Sequence, residues 1–438
     1  MDYREVAQQI FIAGVKDVLP GRLISNMMSL KGHVLYIGNQ SYDLEKINSI
    51  YIIGAGKASA AMGHYVENIL GNRIREGHII VKYGYFCKLK YIRVTEAGHP
   101  IPDSNSFRAT EEIVQLANKA GENDLVICLL SGGGSSLLAD IPEASAPDEI
   151  MRLNDLLVRS GADIRQINSV RKHLSKVKGG QLSRFIWPAN TINLILSDVL
   201  GDPVDIVASG PTVPDSSTFA EALKVLEDHQ IINLVPVGIL DILYKGVQGI
   251  LPETPKSGDP IFSKTVTFLA GNNKASLNAA KDKAENLGFN TFIISDEMKG
   301  DIINASSYII DTVIYYKNNN SIQKPVCLLF GGETTVRVQG DGMGGRNQHL
   351  ALTVALRLQD FSGITLLSGG TDGNDGNTEM AGAVVDSETV HDAHAINVYP
   401  EKYLNEFDSY HFFKNTGGHI FTGPTMTNVM DIVVVLID

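Results

Sequence analysis

Three kinds of residue along this chain suit phosphate chemistry: cations beside glycine-rich turns, hydroxyls within those turns, and carboxylates just beyond apolar runs. Gly54-Ala55-Gly56-Lys57-Ala58-Ser59 follows the apolar run 50–53 and sets an ammonium at the mouth of a helical pattern. Ser131-Gly132-Gly133-Gly134-Ser135-Ser136 follows the run 125–130. Its glycines let the backbone approach a phosphate, and its serines donate hydrogen bonds. Farther on, Gly331-Gly332-Glu333-Thr334-Thr335 ends the run 327–330, and a second strand is expected over 335–338. Gly342-Met343-Gly344-Gly345 then leads to Arg346, at the start of a helical run over 348–358. Bare amides, a helix N-terminus and a guanidinium together make an anion site. Lys57 and Arg346 are the two cations expected to do chemistry.

The most basic stretch, 164–184, carries Arg165, Arg171, Lys172, His173, Lys176, Lys178 and Arg184. Ile164, Ile167, Val170, Leu174 and Val177 recur at helical spacing, so Arg171 and Lys178, seven apart, are expected on one helix face. Such a run is ordinarily a solvated face; in an acidic protein it also suits an anionic substrate, and the residues alone leave both readings open. Asp198, Asp202 and Asp205 follow the run 191–196. A hard cation that arrives with phosphates needs one or two carboxylates rather than a full cage. Asp198 is the first choice for orienting Mg²⁺ (or another divalent cation) or the attacking hydroxyl. Of the acids in the C-terminal-half loops, Glu333, Asp341, Asp372 and Asp375, Asp372 in Gly369-Gly370-Thr371-Asp372-Gly373 is the second metal or base candidate. Glu333 joins Arg171 and Lys178 as a candidate substrate contact. His99 and His419 sit in turns and lack metal-ligand spacing.

Several classes are excluded or weakened. No G-x-x-x-x-G-K-[ST] loop and no D-F-G occurs. Gly54-x-Gly56-x-x-Ser59 is a poor dinucleotide fingerprint, because Ser59 replaces the third glycine and the next strand ends in Val81-Lys82 rather than an acid. A nicotinamide-dependent reductase is therefore the weaker alternative, and a non-catalytic nucleotide sensor leaves Lys57, Arg346 and the carboxylates without a joint purpose. The net charge of −12 speaks against nucleic acid and anionic membrane as partners. Cys87, Cys128 and Cys327 form no CxxC pair, no apolar run approaches ~20 residues, and residues 1–9 lack a secretory pattern. A cytoplasmic protein, monomer or homodimer, is expected.

Positioning these turns requires strands that alternate with helices, hence a parallel sheet covered on both faces, with ligands beyond the strands' carboxyl ends. Residues 4–30 read as helix, 249–260 as the connection between domains, and 429–437 as a final buried strand. The domains expected are 1–248 and 260–438, with the terminal strand free to return to the first. Turns of the form G-x-x-K-A-S (Lys57, Lys274) and then L-L-x-G-G recur in both halves, which raises an old duplication as one reading.

Taken in order, G-A-G-K-A-S at 54–59, G-H-P-x-P-D at 98–103, L-S-G-G-G-S-S at 130–136, R-K-H-L-S-x-x-K-G-G at 171–180, S-D-V-x-G-D at 197–202, A-S-G-P-T at 208–212, G-G-E-T-T at 331–335, G-G-R-N-Q at 344–348 and T-G-P-T-x-T-N at 422–428 resemble the glycerate 2-kinase family, the class with a C-terminal MOFRL domain. The match spans nearly the whole chain. The resemblance implies an α/β protein: a Rossmann-like three-layer N-terminal domain, a smaller α/β C-terminal domain and an active-site cleft between them. It implies ATP-dependent phosphorylation of D-glycerate to 2-phosphoglycerate in central sugar-acid metabolism; the older label of some relatives makes a hydroxypyruvate reductase using a nicotinamide cofactor the alternative. The family's active-site lysine and arginine fall on Lys57 and Arg346, while Met426 departs from the smaller residue common in relatives. The expected division of labour gives Ser131, Gly132, Gly133, Gly134 and Ser135 to nucleotide phosphates. Lys57 and Arg346 would neutralise the glycerate carboxylate and the transferring group.

Overall fold

In the computed structural model, which describes residues 2–142 and 145–438, the chain divides into two compact units. One is Leu23–Ala270; the other joins the residues up to Arg22 with Gly271–Asp438. The expected division at 1–248 and 260–438 is thus displaced twice. The first helix, Tyr3–Asp17, belongs with the C-terminal half because Val6, Ile10 and Phe11 are buried among Leu277, Leu329 and Ile432. The stretch 249–270 stays with the first unit, where its last strand joins that unit's sheet.

The helix expected over 4–30 is broken. Pro20, which has no N–H to give, starts a second helix, Pro20–Met27, and the chain then turns into strand. That strand, β1 (Met28–Lys31), forms an antiparallel meander with β2 (Val34–Ile37) and β3 (Gln40–Asp43).

The main sheet of Leu23–Ala270 holds β4 (Ile50–Ala55), β5 (Ile74–Lys82), β6 (Ile92–Ala97), β7 (Leu125–Leu130), β8 (Asn190–Leu196) and β9 (Thr265–Gly271), in the order β6-β5-β4-β7-β8-β9. The pairings from β6 through β8 are parallel. Period-two alternation divides the side chains between two helical layers. Ile80 is buried with Ala109 and Ile113 of the helix Ser104–Ala117. Ile79 faces Gly63 of the helix Ser59–Leu70, where an added Cβ would lie 2.7 Å from its Cδ1. This is the three-layer arrangement expected. Strand order reverses between β4 and β7, so the turns after those strands flank the crevice where such sheets bind ligands.

The other unit carries β10 (Asn290–Asp301), β11 (Val326–Thr335), β12 (Ile364–Gly370), β13 (Gly382–Asp386), β14 (His419–Ile420) and β15 (Asp431–Ile437), ordered β10-β11-β15-β12-β13-β14. This sheet is mixed. Only β10 and β11 pair in parallel; β15 runs antiparallel to both β11 and β12. The terminal strand therefore stays in its own unit, at the centre of the sheet. Its continuous apolar run has a simple cause: Ile432, Val434 and Leu436 are buried with the helices Tyr3–Asp17 and Asn273–Asn286, while Val433, Val435 and Ile437 face the helices Ile302–Asn318 and Arg346–Leu358. The two sheets do not repeat one another's topology, so shared turn motifs are all that speaks for a duplication.

Candidate functional site

In the first unit, four loops meet at the glycine turn after β7. Ala58 donates its amide to Ser131 Oγ at 3.0 Å, Lys57 donates its own to the Gly132 carbonyl at 2.9 Å, and Ser131 donates to the Ala55 carbonyl at 3.2 Å. The Ser59 and Ser131 hydroxyls lie 3.2 Å apart. Ser131, expected as a phosphate contact, thus has its side chain committed to bracing the turn that carries Lys57.

The three glycines are required by close approach. A Cβ on Gly132 would come 1.7 Å from Asp198 Oδ2. One on Gly133 (φ +82°) would meet the His99 ring at 2.9 Å and Lys57 Cγ at 3.6 Å. One on Gly134 would meet Ala208 Cβ at 2.6 Å. Asp198 after β8, Lys57 after β4 and His99 after β6 therefore surround one loop. Lys57 is half-buried and forms no ion pair among the described residues. His99, read from the sequence as a turn residue, is part of this cluster. Burial, reinforced by the charges of Lys57 and Lys82, lowers its pKa to about 4, so the imidazole is neutral near pH 7. Ser135 accepts a hydrogen bond from Ser209 Oγ at 2.9 Å.

Arg171 and Lys178 are near one another, but not for the expected reason. The helix Ile164–Leu174 ends at Ser175, which is extended, and Lys178 lies in the loop that continues through Gly179 and Gly180, both at positive φ. Both cations nevertheless line one cavity of about 50 Å³ together with Ser135 and Ser136. Among the other acids of this region, Asp205 and Asp215 hold the buried Lys172 at 3.1 and 3.0 Å, a structural ion pair.

In the second unit the sequence expectation needs more correction. Gly331 and Gly332 do not close a strand; β11 runs through them to Thr335, and there is no separate strand over 335–338. Their amides belong to a strand paired on both sides, opposite Ile432 and Asp431 of β15. The glycines answer close approach instead: a Cβ on Gly331 would lie 1.8 Å from Asn273 Oδ1. In the next loop, Met343 and Gly344 donate their amides to Asp408 Oδ1 and Asn377 Oδ1.

The helix N-terminus at Arg346 already holds an anion of its own. Asp375, 2% exposed, accepts from the Asn347 and Gln348 amides at 3.0 and 2.9 Å and from both side chains at 3.3 and 3.0 Å. Burial raises its pKa to about 6, and the neighbouring Asp431 carboxylate adds to this. What remains for chemistry is the Arg346 side chain. Asp431 grips it bidentately, Nε to Oδ2 at 2.5 Å and Nη2 to Oδ1 at 2.9 Å, and Glu333 takes Nη1 at 2.7 Å. The two carboxylates push the guanidinium pKa up, against the opposing effect of burial. Glu333, expected as a substrate contact, is an ion-pair partner here. Asp372 Oδ1 accepts from the Asn374 amide at 3.1 Å, an Asx-type turn.

Sequence reasoning missed Asp431, and it placed Asp375 among the loop acids without giving it a role. The former opens an apolar strand and resembles a cap. Its cross-strand neighbours, however, are both glycines, Gly332 and Gly370, and two bare positions beside an acid leave room for a bulky partner. That pattern is a usable signal.

The donors present suit a divalent cation that brings most of its ligands with it. Among the described residues the only group of three or more ligand-type side chains close enough to share an ion is His33, Asp43 and Glu45, on the meander and remote in character from phosphate chemistry. Asp198 is the single acid pressed against Gly132. One carboxylate suits a cation whose other ligands are phosphate oxygens and water, and not a preformed cage.

Comparison with known proteins shows what the whole chain is similar to. Residues 6–244 match a family model described as a domain of unknown function, DUF4147, and residues 326–431 match the MOFRL family. A relative from Thermotoga maritima, D-glycerate 2-kinase, is 41% identical over 90% of this chain and 92% of its own. A glycerate 2-kinase from Pyrococcus horikoshii is 38% identical over 100% of this chain and 98% of its own. The crystal structure of glycerate kinase from Thermotoga maritima superposes with a TM-score of 0.87 at 38% identity, covering 100% of this chain and 99% of that one.

Proposed function

The chain belongs to the glycerate 2-kinase family with a C-terminal MOFRL domain, and on that premise we propose that it transfers the γ-phosphoryl group of ATP to the 2-hydroxyl of D-glycerate. The products are 2-phosphoglycerate and ADP. The observation that carries the reading is the convergence on Gly132–Gly134 of one cation, Lys57, and one carboxylate, Asp198, from separate strand ends.

Phosphoryl transfer asks a protein mainly for positioning and charge stabilisation. The glycine loop lets nucleotide phosphates approach the backbone. Lys57 supplies positive charge where the equatorial oxygens gather it. Asp198 would hold Mg²⁺, with Asp372 as the second candidate ligand, and the ion would supply charge neutralisation to the phosphates there. Neutral His99 adds a hydrogen-bonding group beside Lys57. Arg346, oriented by Asp431, supplies the second cation of the reaction. No helix among the described residues is long and apolar enough to cross a membrane, and we place the enzyme in the cytoplasm.

The direct test is ³¹P NMR of the enzyme with ATP, Mg²⁺ and D-glycerate, with L-glycerate as control. The expected result is a phosphomonoester signal matching 2-phosphoglycerate. A signal matching 3-phosphoglycerate would keep the kinase and overturn the regiochemistry; no transfer by folded protein would overturn both. In the same assay Lys57→Ala and Arg346→Ala should each lose ~10³-fold or more in kcat, and a normal rate in either would remove that residue from the mechanism.

A further inference from the structure

We propose that the cavity lined by Arg171, Lys178, Ser135 and Ser136 is the subsite that receives the carboxylate of the hydroxy-acid substrate. This rests on the kinase reading and deepens it, for it moves the carboxylate away from Lys57 and Arg346 and leaves those cations to the phosphoryl group.

Charge is the first argument. Lys178 is 5% exposed, and its ammonium donates to the Leu138 carbonyl, a dipole rather than a countercharge. Arg171 donates Nε to the amide oxygen of Asn154 at 2.7 Å, again a neutral partner. Neither makes an ion pair with a carboxylate among the described residues. Asp140 also lines the cavity, but its two oxygens accept from Ser175 Oγ at 2.5 Å and from the Lys176 amide at 2.7 Å. Two cations share a partly open, mostly apolar space with one carboxylate already engaged elsewhere. Burying charge in this way is costly unless an anion joins it in the working state. Consistent with this, burial and the nearby Arg171 lower the Lys178 pKa to about 8, with Asp140 opposing.

Size is the second argument. About 50 Å³ holds a few atoms, whereas a nucleotide needs a site of roughly 300 Å³ or more. A guanidinium fork beside an ammonium matches a carboxylate or another small oxyanion. Position is the third. Ser135 and Ser136 continue the loop on which Lys57, His99 and Asp198 converge, so an acid anchored here has its hydroxyls toward the phosphate loop.

The test uses the intact enzyme. D-glycerate binding is measured by calorimetry without nucleotide, and KM is measured separately for glycerate and ATP, in wild type, Lys178→Met and Arg171→Gln, with circular dichroism to confirm folding. Inorganic phosphate is titrated as the competing oxyanion. Loss of one charge-assisted contact predicts a roughly 10- to 100-fold rise in glycerate Kd and KM, with ATP KM changed less than about 3-fold. A rise in ATP KM instead, or tighter binding of phosphate than of glycerate that the variants abolish, would reassign the cavity to phosphate and overturn the proposal. Unchanged constants in both variants would make the cations structural and also overturn it. If Lys178→Met does not fold, Arg171→Gln, at a half-buried position, decides alone. Wild-type turnover is read independently, so failure of the kinase reading and failure of the subsite cannot be confused.

Discussion

Replacing Asp431 by Asn tests whether Arg346 works only when held. The carboxylate is 6% exposed and the guanidinium 32%, and the fork consists of two short charge-assisted bonds. Removing one member of a fully buried pair costs ~3–5 kcal/mol. Here the arginine can regain water on its open side and keeps Glu333, which argues for a smaller loss of ~2 kcal/mol. Asparagine can accept one hydrogen bond from the fork but turns an amide donor toward the other nitrogen. For a unit of 150–250 residues, 1 kcal/mol moves Tm by ~2–4 °C, so a drop of about 4–8 °C is expected. Catalysis should fall more than stability suggests. A cation displaced by about 1 Å can cost ~10²-fold in kcat. The assay is steady-state kinetics with thermal melts on Asp431→Asn, Arg346→Ala and the double variant. If Asp431 acts through Arg346, the double variant is no slower than Arg346→Ala alone. A lowered Tm with unchanged kcat, or fully multiplicative losses in the double variant, would refute the reasoning.

Gly132→Ala should push the Asp198 carboxylate out of place, because its Cβ would lie 1.7 Å from Oδ2. A kcat loss of about 10²-fold is expected, and little further loss when the same change is made in Asp198→Ala. Lys178 gives a pH signature in two parts. Between about 8 and its unfolded value near 10.4, the unfolded chain binds more protons, so its cost to stability is full below pH 8 and is relieved as pH rises through that window; Lys178→Met should flatten this rise in melts. Anion binding opposes the shift, so glycerate binding at pH 9 should take up protons, visible as calorimetric heats that depend on the buffer's ionisation enthalpy. NADH titrated against protein fluorescence should show no saturable tight binding, since β5 ends in Lys82 where a ribose-binding acid would stand.

What the sequence revealed was whatever depends on near neighbours along the chain. Lys57 sits two residues beyond a strand, and the turn's glycines announce close approach, so both were legible. The contact between Gly132 and Asp198 joins two strand ends, and a parallel sheet makes that pairing expectable even without knowing the order. Arg346 and Asp431 are different, for 85 residues separate them and only the antiparallel insertion of β15 between β11 and β12 brings them together. The same insertion turned Gly331 and Gly332 from a presumed loop into paired strand. Arg171 and Lys178 were matched through a helix that in fact stops at Leu174. Periodicity ran on through Val177 because that residue is buried too, and periodicity alone does not see a helix end that Ser175 makes by going extended.

A protein of net charge −12 that handles anions must keep its functional cations from being neutralised permanently by its own acids. Lys57 avoids this by making no ion pair among the described residues, and Lys178 by facing a carbonyl. Arg346 appears at first to fail, with two carboxylates on one guanidinium, but the two are unequal. Asp431 is buried, fixed by the strand that carries it, and occupies two donors. Glu333 is 43% exposed and takes one more of the five N–H donors, through Nη1 at 2.7 Å. An exposed pair is worth ~0–1 kcal/mol, so an incoming phosphoryl oxygen can replace Glu333 at small cost while Asp431 continues to aim the fork. Glu333→Gln should therefore leave kcat within about 3-fold and weaken the competition for Nη1, lowering the anionic substrate's KM by up to about 5-fold. Steady-state kinetics at low and high ionic strength check this, since salt screens the exposed pair and should narrow the difference between variant and wild type. A kcat loss comparable to that of Arg346→Ala would mean that Glu333 takes part in the chemistry itself, and the distinction between an aiming acid and a displaceable one would fall.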